Sequence, residues 1–262
     1  MGRLRARSGW DNSRTGPTSG NRRMTADLKA TCIVQARMGS QRCPGKSLEL
    51  IGAIPVIEIV LLRLAKSSRL AKVVLATSDM DRDTPLAETA AAAGFPVFRG
   101  SESDLVGRYL AAAEAHAVSD HLVRATGDNV FMDWREIDRI VEFGADGAWD
   151  FVGFTNSVHT DRINDFGGEY LKFSALKRVA EATQDPHDRE HVFPYFYKHP
   201  EMFKVTRIEV SPRLHTPVKM DLDYPEDLAL LQAVGREIVD PVTPPTDEIV
   251  TVANRISGQD QQ

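Results

Sequence analysis

The chain has 262 residues, 42% of them hydrophobic and 26% charged, with a formal net charge of -5. That is chain enough for one large α/β domain with a sizeable core, and no apolar run approaches the ~18 residues that span a bilayer. The overall charge hides a basic tail on an acidic body. Of 32 Lys+Arg and 37 Asp+Glu, residues 1–26 hold six arginines and one aspartate, leaving 26 against 36, a balance that argues against nucleic acid as the main partner.

Residues 1–26 are rich in Gly, Ser and Thr and poor in apolar side chains. They bury too little surface to offset their ordering entropy, so a disordered tail is expected. The tail lacks the apolar stretch of a secretory signal, and its prolines and glycines argue against an amphipathic presequence helix. Met24 is the more natural start of the domain, which is expected over 27–257 with a frayed end at 258–262. Cys32 and Cys43 have no metal-ligand neighbours in sequence and read as reduced thiols of a cytoplasmic protein.

An apolar run at 30–34 reads as a buried strand. It empties into a loop carrying Arg37, Gly39, Arg42, Gly45 and Lys46. Glycines let backbone approach an anion, and three cations with exposed N–H groups suit phosphate. The loop is not a Walker A motif: five residues separate Gly39 from Gly45 where four are needed, and Pro44 lacks an N–H. Its place after the first strand of an α/β pattern favours ligand binding over a merely solvated turn.

A helix starting near Pro55 follows, with Ile57, Val60, Leu61 and Leu64 on one face. Strands are expected at 72–77, 95–99 and 121–125, with helices at 85–93 and 102–118 between them. This rhythm predicts an α/β fold with a mostly parallel sheet and helices on both faces. Ligands then collect at the carboxyl ends of the strands, which picks out Thr77-Ser78-Asp79 and Arg124-Ala125-Thr126-Gly127-Asp128-Asn129. The former also reads as a helix cap. In the latter, Gly127 leaves room beside the Asp128 carboxylate for an ion, although an Asp-Asn turn is equally local chemistry.

In the second half, 150–155 reads as a strand, 156–168 as irregular and 172–181 as a helix. His187-Asp188-Arg189-Glu190-His191 matches the inverted zinc-peptidase pattern H-x-x-E-H. Pro194 leaves little helix beyond it, which weighs against zinc. A late strand is expected at 203–210, and residues 218–228 are expected to end a strand and open a helix at Pro225. Asp221 and Asp223 then share one side of that strand. A closing helix is expected at 249–256.

The ordered string Gln-Ala-Arg-x-Gly-Ser-x-Arg-x-Pro-Gly-Lys-x-Leu at 35–48 resembles the CTP-binding signature of the sugar cytidylyltransferases, which include the CMP-Kdo and CMP-acylneuraminate synthetases. Asp-Arg-Glu-His-Val-x-Pro-Tyr at 188–195 resembles the spore-coat polysaccharide branch, and Asp-x-Pro-Glu-Asp-Leu at 223–228 is a second family hallmark. Cys43 replaces the usual leucine, and Val130 stands where many relatives have proline.

The resemblance implies the Rossmann-like nucleotide-diphospho-sugar transferase (GT-A-like) fold and transfer of CMP from CTP to an acidic sugar, releasing pyrophosphate. It implies nucleotide contacts from Gln35, Ala36, Arg37, Gly39, Ser40, Arg42, Lys46, Thr77, Ser78 and Arg124, with Arg37 and Lys46 catalytic. It implies Mg²⁺ on Asp128 and Asp223, with Asp221 the alternative ligand. Arg162, Glu169, Arg189 and His191 are the candidate acceptor contacts, with Lys172 a further cation, and a homodimer is expected. Competing readings are a glycosyltransferase using Asp221-Leu222-Asp223 as a D-x-D motif, a UTP- or dTTP-dependent nucleotidyltransferase, and a nucleotide-binding sensor.

Overall fold

The computed structural model describes residues 28–146, 149–155, 166–190 and 192–258. The expected tail at 1–26, most of the irregular segment at 156–168, and the candidates Arg162 and His191 lie outside the described residues.

Strand β1 (Ala30–Gln35) leads through the cationic loop into a short hairpin, β2 (Leu50–Ile51) and β3 (Ile54–Pro55), and then helix α1 (Val56–Leu64). Next come β4 (Leu70–Ser78), α2 (Thr84–Ala92), β5 (Val97–Gly100), α3 (Leu105–His116) and β6 (His121–Thr126). The chain continues through α4 (Trp134–Ala145), β7 (Phe151–Thr155), β8 (Glu169–Lys172), α5 (Phe173–Ala182), α6 (Pro186–Glu190) and α7 (Val192–Lys198). It ends with β9 (Val205–Glu209), α8 (Pro225–Glu237) and α9 (Thr246–Ile256).

The main sheet has the order β5-β4-β1-β6-β8-β7-β9. Only β8 runs antiparallel to its neighbours, so the other six strands share one direction. Parallel strands covered on both faces must be apolar at every position rather than alternately. Accordingly, Cys32 and Val34 of β1 pack into one core with α1, α4 and α8, whereas Ile33 packs into a second core with α3 and α5. From β1 the chain crosses to β4 and then β5 on one side, and returns past β1 to β6 on the other. The crevice at the carboxyl end of β1 therefore lies where the strand order reverses, the expected place for a ligand.

Three elements exceed the expected pattern. The β2–β3 hairpin is too short to show alternation. Helix α4 carries Ile137, Ile140, Val141 and Gly144 inward at helical spacing, and its Asp133 cap accepts the Arg135 and Glu136 amides. A Cβ at Gly144 would lie 2.3 Å from the Tyr170 ring, so the helix sits close on β8. Strand β8, four residues long, is defined by pairing with β6 and β7 rather than by its own sequence.

Two expectations are corrected. Residues 218–223 do not form a strand: β1 and β8 occupy both edges of β6, and the Leu222 amide donates to the Asp128 carbonyl at 2.9 Å. Pro194 does not stop the helix after the H-x-x-E-H segment. It is the third residue of α7, in the first turn, where a missing N–H removes no helical bond. Cys32 and Cys43 are free and buried.

Candidate active site

The cationic loop is shaped from beneath. Asp83 is fully buried, and its carboxylate accepts the Met38 amide at 2.7 Å, the Thr77 hydroxyl at 3.1 Å and the Ser78 amide at 3.2 Å. The Ser78 hydroxyl also donates to it. Thr77 and Ser78 are themselves fully buried. Neither lines the cavity described below, because Asp83 has taken their hydroxyls. Their work is to hold the loop. Farther along, Gly45 adopts φ 76, a conformation that strains any L side chain, and turns the chain into a single 3₁₀ turn at Lys46–Leu48.

Lys46 is the meeting point of the site. Its ammonium lies 3.1 Å from Asp128 Oδ2 and 3.4 Å from Asp223 Oδ1, and donates to the Leu222 carbonyl. Arg42 pairs with Asp223 Oδ1 at 2.7 Å, and Lys219 lies 3.5 Å from Asp223 Oδ2. Two acids 95 residues apart in sequence thus converge on one cation. Partial burial opposes the charge on Asp128, but Lys46 and the bonds from Thr126 and Lys46 win, and its pKa falls below the usual carboxylate value. Asp221 shifts the other way: burial pushes it up, and the charges of Asp223 and Asp128 add to that against the pull of Lys219.

Gly127 allows this convergence. A Cβ there would sit 2.7 Å from the Ala36 Cβ, and the Gly127 amide donates to the Gln35 carbonyl at 2.8 Å. Asp223 is set by the start of α8, where Asp227 Oδ2 accepts the Asp223 and Tyr224 amides at 2.9 and 2.8 Å.

Above these groups lies a cavity of about 780 Å³ lined by Gln35, Ala36, Arg37, Gly39, Ser40, Arg42, Lys46 and Asp128, all expected at the site. Arg124 stands behind the wall, paired with Glu169 and 3.3 Å from Gln35 Oε1, so Glu169 is spent on Arg124 rather than offered to an acceptor. Arg189 is likewise spent. It grips Asp104, the α3 cap, at 2.9 and 2.7 Å and also donates to the Ala180 and Thr183 carbonyls. The neighbouring Glu190, not Arg189, reaches the cavity.

Arg82, Glu102 and Arg108 also line it and were missed. The signal was available for Glu102, which follows the end of β5 just as the recognised segments follow β1, β4 and β6. Arg82 and Arg108 belong to the segments that close the same end.

Among the described residues, no group of three or more His, Cys, Asp or Glu could cage a metal by itself. Asp128 and Asp223, with a cation already between them, suit an ion that takes one or two carboxylates and fills its remaining positions with phosphate and water, the habit of Mg²⁺.

A mostly parallel sheet whose central strand opens into a cationic loop, facing paired carboxylates over a polar cavity, defines an α/β nucleotidyltransferase. The chain belongs to the cytidylyltransferase family, whose model matches residues 31–234, and is a CTP-dependent nucleotidyltransferase. It is 30% identical to the spore coat polysaccharide biosynthesis protein SpsF of Bacillus subtilis, over 85% of this chain and 93% of that protein. It is 26% identical to a 3-deoxy-manno-octulosonate cytidylyltransferase of Bradyrhizobium, over 70% and 79% of the two chains. A solved cytidylyltransferase from Leptospira borgpetersenii superposes with a TM-score of 0.79 at 28% identity, covering 90% of this chain and 98% of that one. Among the described residues, no helix is long and apolar enough to cross a membrane.

Proposed function

We propose that the protein transfers CMP from CTP to an acidic sugar, releasing pyrophosphate, for surface glycan or related biosynthesis. The observation that carries this reading is the convergence of Lys46, Arg42, Asp128 and Asp223 at the mouth of the first strand. Two relatives support this reading: a 3-deoxy-manno-octulosonate cytidylyltransferase points to a sugar-acid acceptor, and a spore coat polysaccharide biosynthesis protein points to surface glycan. Five cations against three acids in the cavity lining support a polyanionic substrate.

In this reaction an acceptor hydroxyl oxygen gives up its proton to solvent and forms a bond to the α-phosphorus while the bond from that phosphorus to the α–β bridging oxygen breaks. The electron pair leaves on pyrophosphate. Protein groups do little covalent work here, so positioning and charge neutralisation dominate. Arg37, Arg42 and Lys46 would hold the triphosphate and meet the charge that grows on the leaving group. Asp128 and Asp223 would hold Mg²⁺, which when bound neutralises phosphate oxygens. Lys46 keeps the two carboxylates facing each other. The D-x-D glycosyltransferase reading loses ground because Asp221 faces Lys219 rather than the loop cations.

The test is pyrophosphate release with each of the four nucleotides against a panel of sugar acids, sugar phosphates and phosphonates. Release that requires CTP and a sugar acid is expected. Turnover only with a sugar phosphate, or transfer of sugar from a nucleotide sugar, would sink the reading.

A further inference from the structure

The cavity lining is not uniform in chemistry. Arg42, Lys46 and Asp128 form the cluster assigned to phosphate. Arg82, Glu102, Leu105 and Arg108 line the end that follows β5, with Arg82 and Glu102 beside Gly39. The Glu102 carboxylate is held there by Arg82, which donates to it, and by Arg37 at 3.8 Å. Gly39 gives this pair its room, since a Cβ there would lie 3.2 Å from Arg82 Nε and 3.3 Å from Glu102 Oε1. An ionised carboxylate accepts hydrogen bonds and has none to donate.

Arg108 is 5% exposed and is the counterpart of that acceptor. Its Nη1 donates to the Ser101 carbonyl at 2.8 Å, but its Nε is buried and, among the described residues, has no hydrogen-bond partner. An orphaned buried donor in the wall of a cavity is unfavourable until an acceptor atom draws the guanidinium to it. Leu105 and Ala36 add apolar surface to the same lining, which suits the face of a flat ring.

We infer that this end of the cavity selects the nucleobase: Glu102 accepts the exocyclic N4 amine of cytosine, and Arg108 donates to its O2 carbonyl. The inference rests on the cytidylyltransferase reading and names the residues that enforce its choice of base. Cytosine offers an amine donor where uracil and thymine offer the O4 acceptor. With UTP, two acceptors would face each other at Glu102. Adenine keeps an amine but has no carbonyl for Arg108. Discrimination then comes from polar groups of the cavity left unpaired by the wrong base, which is stronger than the loss of a contact alone. Arg82 is a positioning residue that fixes the carboxylate.

Calorimetric titration of the full chain with CTP or UTP in the presence of Mg²⁺ tests this without an acceptor. Wild type is expected to favour CTP by about tenfold to a hundredfold. Glu102→Gln is expected to bring the two nucleotides near parity, weakening CTP and strengthening UTP, because an amide can turn its N–H₂ toward O4. Arg82→Ala, which unclamps the carboxylate without removing it, should lower the same ratio and guards against a poorly folded Glu102→Gln. Lys46→Ala should weaken both nucleotides by a common factor and leave the ratio intact. An unchanged ratio in both Glu102→Gln and Arg82→Ala overturns the inference while selective CTP binding by wild type leaves cytidylyl transfer standing. A wild type that binds neither nucleotide overturns both.

Discussion

Replacing Lys46 with alanine separates the ligand-binding role of this side chain from its structural one. The Lys46 side chain is 12% exposed, and its ammonium is shared by Asp128, Asp223 and the Leu222 carbonyl. At a near-surface dielectric each ion pair has a gross attraction of about 4 kcal/mol, but desolvation and solvent access cancel most of it. Asp128 remains 34% exposed, and Asp223 keeps Arg42 and Lys219, so the net cost to the fold is about 1–2 kcal/mol. For a domain of this size that lowers Tm by about 3–6 °C. Catalysis should lose more, because a preorganised charge aimed at a developing anion is worth about 3–4 kcal/mol, or a hundredfold to a thousandfold in turnover. Pyrophosphate release under saturating CTP and thermal unfolding, measured on the same sample, compare the two losses. Mg²⁺ should raise the Tm of the variant more than that of wild type, since the two carboxylates have lost their shared cation. Turnover within tenfold of wild type, together with the fall in Tm, would show that Lys46 is only a strut.

Gly127→Ala places a Cβ against the Ala36 Cβ, so the Asp128 loop must shift; stability should fall by about 1–3 kcal/mol, with turnover falling further than unfolding explains, as steady-state kinetics and denaturant melts on one preparation will show. Arg189→Ala should lower Tm by several degrees by releasing Asp104 but leave the KM for any acceptor unchanged, so a large rise in acceptor KM would restore Arg189 to the site. Burial disfavours the Asp133 charge, but Arg213 and Arg135 outweigh that and hold its carboxyl well below the usual range. A depressed folded-state pKa contributes stability that is complete above the unfolded value near 3.9 and lost as pH falls through the folded one; acid titrations of stability should therefore slope downward below about pH 4, and less steeply in Asp133→Asn. Arg63, fully buried and donating to the carbonyls of Met132, Pro241, Val242 and Pro244 and to the Thr246 hydroxyl, ties the segment before α9 to the core. Its replacement by alanine should cost about 3–5 kcal/mol, read in urea as a lowered midpoint.

Much of the site is written locally. The loop cations, Gly39 and Gly45 lie within a dozen residues, and Asp128 and Asp223 each sit in a short recognisable string. Strand β1 and the second half of β4 were legible because burial on both faces leaves an apolar run. Helix α4 had a readable face and cap and was passed over, whereas β8 exists only because β6 and β7 flank it.

What local pattern cannot convey is which polar side chains remain available to a ligand. Ser78, Glu169 and Arg189 have the right chemistry, yet Asp83, Arg124 and Asp104 reach them first, the latter two from 45 and 85 residues away. Glu102 is marked in sequence only by its place after a strand and Arg108 by nothing, and both become part of the cavity wall when β5 docks beside β4. Residue type and spacing set what each segment can offer. Hydrogen bonds saturate, and only the packed chain decides which offers are already taken.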